Sequence, residues 1–265
     1  MKRVIVVGSP RSKGRSAHLA EMLFEASIDE CPEDEIFLVP VSEIEVGPCI
    51  GCGACRRKTE VISRDEDGNE VSESKHRCVF DDDMQTLYDL LDDADELIIV
   101  SPIYFSGAPA PMKCVLDRMQ PYFWENRRED GGARNPVKRP MTLHVIGEGN
   151  DPHGYAPLVS EVRSAMAIAG FKIERILDWV GKIDADGEII ADAEVVEDAT
   201  VQLQAASTVA RDDAKPAGQD RPKLNLSSGK QAQQGNRKGS QQGKQQTKKQ
   251  SSQQARQQGK GKRRG

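Results

Sequence analysis

An apolar run, Val4–Val7, stops at Gly8 and is followed by an amphipathic segment, Ser16–Ile28, with Leu19, Met22, Leu23 and Ala26 along one side. The same alternation recurs down the chain. Strand-like runs at Ile36–Val41, Leu97–Val100, Met141–Ile146 and Phe171–Val180 are interleaved with helical patterns at Asp81–Leu91, Pro109–Met119 and Ala156–Ala169. The acidic start of the Asp81–Leu91 segment suits the positive end of a helix dipole. Five strand-helix repeats predict an α/β fold, a doubly wound five-stranded parallel sheet with helices on both faces. In such sheets ligands sit beyond the carboxyl ends of the strands, where the strand order reverses.

Charge divides the 265 residues unevenly. Residues 205–265 carry 15 Lys and Arg against 3 Asp and Glu, a formal +12, whereas residues 1–204 stand at −17, for a chain total of −5. After Leu226 the chain has almost no large apolar residue and is rich in Gln, Lys, Gly and Ser. Such a composition buries too little surface to offset the entropy of ordering, so residues 215–265 are expected to be a disordered basic tail. The organisation predicted is a folded domain over 1–185, a linker or peripheral segment over 186–214, and the tail. No secretory leader follows Met1-Lys2-Arg3, and no run approaches the ~20 apolar residues of a membrane span, so the expected location is cytoplasmic. The tail's charge suits RNA or another polyanion, but it has no aromatic residue on which to stack bases.

Three segments carry chemistry. The loop Gly8-Ser9-Pro10-Arg11-Ser12-Lys13-Gly14-Arg15-Ser16 joins the first strand to the first helix, where free N–H groups and the helix dipole make an anion site. Ser9 and Ser16 offer hydroxyls, and Arg11 and Arg15 charge-assisted hydrogen bonds, to phosphate oxygens. The pattern is neither GxGxxG nor GxxxxGK[ST], so a phosphate monoester fits better than a dinucleotide or nucleoside triphosphate. A plain turn with surface arginines is the rival reading. The segment Pro102-Ile103-Tyr104-Phe105-Ser106-Gly107 follows the third strand and suits a planar ring, its N–H groups on the ring's polar edge, unless Tyr104 and Phe105 only cap the core. Gly147-Glu148-Gly149-Asn150, after the fourth strand, completes the pocket or is only a turn.

The third segment, Pro48-Cys49-Ile50-Gly51-Cys52-Gly53-Ala54-Cys55, sets three thiols at a spacing that suits one soft metal centre better than disulfides. A fourth ligand is expected at Cys78. The residues between include two strand-like runs around Asp67-Gly68-Asn69, read as a hairpin over 58–76 inserted into a cysteine loop spanning 47–80. Paired strands lie roughly 5 Å apart, so a hairpin would return Cys78 to Cys55. An iron-sulfur cluster, a zinc site and unligated thiols all remain open. Cys31 and Cys114 read as ordinary residues, His144 and His153 as structural, and Pro121-Tyr122-Phe123-Trp124 as a flavin cover, an oligomer contact or core.

Gly8-Ser9-Pro10-Arg11, the cysteine run, Asp82-Asp83-Met84 and Ser101-Pro102-Ile103-Tyr104-Phe105 together resemble the flavodoxin-like NADPH-dependent FMN reductase superfamily, in its iron-sulfur flavoprotein branch, over roughly residues 1–180. The resemblance implies a flavodoxin-like sheet, with FMN held through Ser9, Arg11, Gly14, Arg15 and Ser16 at the phosphate and Pro102, Ile103, Tyr104, Phe105, Ser106 and Gly107 along the ring. It also implies a [4Fe–4S] cluster on Cys49, Cys52, Cys55 and Cys78, NAD(P)H as a donor, a redox protein or small acceptor as partner, and a homo-oligomer. This chain departs from the family pattern in the hairpin before Cys78 and in Arg15, which stands where a small polar residue is usual. The function expected is FMN-dependent electron transfer between flavin and cluster. The alternatives are an NAD(P)H-dependent FMN or quinone reductase without a cluster, its cysteines structural or zinc-binding, and a redox domain tethered to RNA or another polyanion by its basic tail.

Overall fold

Period-two burial organises the sheet. In β1 (Lys2–Val7), Val4 and Val6 face one side and Ile5 and Val7 the other, all at most 2% exposed. β5 (Glu96–Pro102) repeats the alternation, Leu97 and Ile99 joining the first set and Ile98 and Val100 the second. A strand apolar on both sides must be covered on both. α1 (Arg15–Glu30) covers the Ile5 side with Leu19 and Ala20. α2 (Met84–Asp93), α3 (Ala110–Asp117) and α5 (Ala156–Ile168) cover the Val4 side with Leu87, Leu91, Met112, Val115, Leu158 and Val162.

The computed structural model describes residues 1–64, 68–127 and 137–197, all within one unit of the chain that ends at Lys215. Asp67, the first of the expected turn residues, the preceding Asp65 and Glu66, and the basic tail 215–265 lie outside the described residues. With β2 (Glu35–Pro40), β6 (Arg139–Ile146), β7 (Phe171–Asp178) and β8 (Glu194–Val196), the main sheet has the order β2-β1-β5-β6-β7-β8. The first five of these strands are parallel. Taken in chain order they read 2-1-3-4-5, the doubly wound flavodoxin-like arrangement, whose order reverses at β1. β8, within the stretch read as linker or peripheral segment, adds an antiparallel edge that pairs Ile176 with Val196.

Between β2 and α2 lie the cysteine run and the inserted hairpin, β3 (Lys58–Arg64) and β4 (Glu70–His76), antiparallel with Lys58 opposite His76. The acidic residues expected in the first turn of α2 stand ahead of it instead. Asp82 accepts from Met84 N at 3.2 Å and Gly47 N at 3.1 Å, and Asp83 accepts from Glu45 N at 2.7 Å. They fasten the entry of the cysteine loop to the helix. A further short helix, α4 (Gln120–Glu125), follows α3 and holds the aromatic run. Tyr122 packs edge-on to Tyr88 and donates to Asp92 at 2.9 Å, so it is core, and none of the four residues reaches the strand ends of β1 and β5.

Candidate functional site

Beyond the carboxyl ends of β1, β5 and β6 opens a cavity of about 620 Å³, where the strand order predicts a ligand. Ser9, Arg11, Lys13, Gly14, Arg15 and Ser16 form one wall, Pro102, Ile103 and Tyr104 a second, and Gly147 to Asp151 a third. Ser9 and Ser16 are buried, and no side chain caps the N-terminus of α1, so its first-turn N–H groups are open to an anion. Arg15 is committed elsewhere: Nε donates to Asp184 O at 2.6 Å and Nη1 to Glu148 Oε1 at 2.9 Å, strapping the loop across the cavity's edge. Arg11 and Lys13 are exposed at the rim.

The ring segment is less open than its sequence suggests. Tyr104 N and Gly107 N donate to each other's carbonyls at 3.0 Å, closing a turn whose tip residues, Phe105 and Ser106, are left-handed at φ 50° and 65°. For residues with a Cβ this conformation is strained, and it persists only when its surroundings over-determine it. Here they do: Ser106 Oγ donates to Asp151 Oδ1 at 2.9 Å and Leu158 N to Ser106 O at 3.0 Å. Phe105 is fully exposed and caps no core, and Phe105, Ser106 and Gly107 do not line the cavity. At its floor, Tyr155 donates to Asp178 Oδ2 at 3.0 Å; burial and that carboxylate push the phenol's pKa up, so it keeps its proton.

The cysteines ring a second cavity, of about 380 Å³, whose walls include Cys49, Cys52, Cys55 and Cys78 together with Phe80, Arg118 and Trp124. Gly51 and Gly53 take left-handed φ of 67° and 73°, and these turns wrap the loop around the space. The hairpin delivers Cys78, since the Lys58–His76 pair closes its base and His76 Nδ1 lies 2.9 Å from Cys55 O. Burial and then the neighbouring thiols of Cys78 and Cys49 push the Cys55 thiol up, as expected where sulfurs share a site. Among the described residues, no three Cys, His, Asp or Glu side chains are drawn together as a single ion requires. The thiols stand around a space rather than on a point.

A family model for NADPH-dependent FMN reductase matches residues 1–170. The chain belongs to the NADPH-dependent FMN reductase family. An iron-sulfur flavoprotein of Methanosarcina thermophila is 35% identical over 172 residues, 64% of this chain and 75% of that protein. Another, of Archaeoglobus fulgidus, is 33% identical over 124 residues, 46% of this chain and 47% of that protein, so the chain spans only about half of that relative's length. A solved FMN-dependent NADH-azoreductase of Bacillus anthracis is similar at 15% identity and a TM-score of 0.45, over 80% of this chain and 96% of that one. Among the described residues no helix of this FMN reductase family member is long and apolar enough to cross a membrane.

Sequence reading missed the residues that brace the cysteine loop of this FMN reductase homologue. Arg118, 2% exposed, donates through Nη1 to Gly47 O at 3.0 Å and to Asp82 Oδ2 at 2.8 Å, and through Nη2 to Asp82 Oδ1 at 2.9 Å. Burial alone would raise the Asp82 pKa, but the bonds from Arg118, Gly47 and Met84 hold it below the usual carboxylate range. Gly47 is thus gripped by both its N–H and its carbonyl. Trp124, from the aromatic run, has its ring centroid 5.0 Å from the Arg56 guanidinium and 5.4 Å from that of Arg127, on the wall of the cysteine cavity. The sequence carries no local signal for the Arg118–Asp82 pair: Asp82 is one of three successive aspartates ahead of α2, and Arg118 follows Asp117 at the end of α3.

Proposed function

We propose that the chain is an FMN-dependent electron-transfer flavoprotein that holds a [4Fe–4S] cluster on Cys49, Cys52, Cys55 and Cys78. The observation that carries this reading is that four thiols line one cavity although 22 residues separate the third from the fourth. The donor set is soft sulfur, which favours iron-sulfur and zinc over harder ions. A single zinc at ~2.3 Å from each sulfur would pull four thiols onto one point, and a ring of thiols around a cavity suits a polynuclear group better. Relatives named iron-sulfur flavoproteins support the same choice.

In this reading the α1 N-terminus with Ser9 and Ser16 receives the FMN phosphate, Arg11 and Lys13 neutralise it, and Arg15 keeps the loop closed against Glu148. Pro102, Ile103 and Tyr104 orient the ring from one wall. Tyr155, protonated and tied to Asp178, serves as polar lining and moves no proton. The flavin supplies two-electron exchange with a small molecule such as NAD(P)H or an acceptor, and the cluster one-electron exchange. We further read the chain as acting in a homo-oligomer, with a redox protein or small acceptor as partner.

Anaerobic purification of the whole chain, with iron, sulfide, zinc and flavin quantified, tests this. About four iron, four sulfide and one FMN per chain are expected if a cubane cluster is held. Cys78→Ser should lose most of the iron, whereas Cys114→Ser, on α3, should keep it. FMN with zinc, or with no metal, would sink the cluster and leave a simple flavin reductase.

A further inference from the structure

Arg118 closes α3 with a side chain that is 1% exposed. Its Nη atoms are engaged by Asp82 and Gly47, and its guanidinium lies 5.0 Å from the Phe80 ring centroid, so the fork is held both at its edge and on its face. Nε is different. Buried from solvent, it has no hydrogen-bond partner among the described residues. Native proteins leave few buried donors unsatisfied, and a charged N–H is among the most costly to leave so. Arg118 also forms part of the wall of the cysteine cavity, where sulfur is the abundant acceptor.

We infer that Arg118 Nε–H donates a hydrogen bond to the sulfur of a cysteine ligand in the wall of that cavity, and that this bond favours the site's one-electron-reduced form. The inference rests on the proposed cysteine-held cluster. Reduction adds one electron, given up by reduced FMN, and makes the sulfurs more negative. A charge-assisted N–H···S bond therefore strengthens on reduction, and hydrogen bonds to sulfur are among the levers that set such potentials. No covalent bond forms or breaks, and Arg118 keeps its proton throughout. The rival account is that Arg118 only clamps Gly47 through Asp82.

The test compares the anaerobically purified whole chain with R118K and D82N by EPR-monitored redox titration. Lysine keeps the positive charge but lacks the Nε–H. R118K is expected to retain iron and sulfide, with the FMN potentials unmoved. At the potential where the wild-type cluster is half reduced, its reduced-to-oxidised ratio is expected to fall about tenfold, or about 59 mV for a one-electron couple. An unchanged midpoint in iron-loaded R118K overturns the inference. D82N loosens the clamp while leaving Nε–H in place, and a midpoint lowered as far as in R118K assigns the effect to loop position and also overturns it. If R118K fails to fold or load, the wild-type chain labelled with [15N]arginine decides by pulsed EPR of the reduced cluster. A nitrogen coupling that survives R56K supports the bond, and its absence overturns it. A wild-type chain without iron and sulfide overturns the cluster reading itself, an outcome distinct from a loaded cluster that ignores Arg118.

Discussion

Trp179 Nε1 donates to His144 Nδ1 at 3.0 Å, with the two rings stacked. That nitrogen must therefore carry no proton, and the bond assigns the imidazole's own hydrogen to Nε2. His144 is 3% exposed, and burial, then Arg175, lower its pKa from 6.5 to about 4. Because the folded pKa is depressed, the unfolded chain takes up the proton first. The stabilisation is whole above pH 6.5, fades as the pH falls toward 4, and is worth on the order of 3 kcal/mol at 1.36 kcal/mol per unit. Thermal midpoints measured from pH 7 to 4 should fall across this window in the wild type and fall less in His144→Gln. A flat wild-type profile would show that the ring is charged in the folded chain. The structural role of His144 was legible in its apolar strand, but its Trp179 partner, 35 residues on, was not.

Elements differ in how plainly their sequences announce them. The five parallel strands were legible because each is apolar and bounded by turn residues, and α1 because its stripe runs for several turns. α4 escaped notice because six residues, with Pro121 among them, complete too few turns for a periodicity to register. β8 escaped because its three residues hold only three pairs with β7. α4 matters more than its length suggests. Its Glu125 accepts from Lys58 Nζ at 3.0 Å and His76 N at 3.2 Å, gripping both strands at the hairpin's base. Glu125→Ala should cost about 1 kcal/mol, discounted for the exposure of Lys58, and, under the proposed cluster, should increase iron loss on dialysis against a chelator. Replacing residues 60–74 by a short turn should leave the iron content per chain unchanged, because the Lys58–His76 base survives. Loss of iron in the shortened chain would mean that the distal strands, not the base, position Cys78.

At the scale of the molecule, the strand-end cavity and the cysteine cavity open from one α/β fold, and their linings were legible to different depths. The phosphate loop and the cysteine run lie in continuous sequence, where spacing and residue type speak for themselves. The Arg118–Asp82–Gly47 brace joins residues 36 and 35 positions apart. Only folding brings α2 and α3 to the same loop, so no local pattern discloses it. The charge split belongs to this scale as well. A chain ending at residue 204 carries −17 instead of −5, and should elute from an anion exchanger at higher salt with its flavin and iron stoichiometry unchanged. Loss of either would make residues 205–265 part of the cofactor sites. The hairpin also offers an engineering port: since strand pairing rather than a fixed count of residues closes the gap between Cys55 and Cys78, any folded module whose two ends lie side by side can be spliced in there. If the proposed cluster is held there, its visible absorption would then report whether the guest had folded.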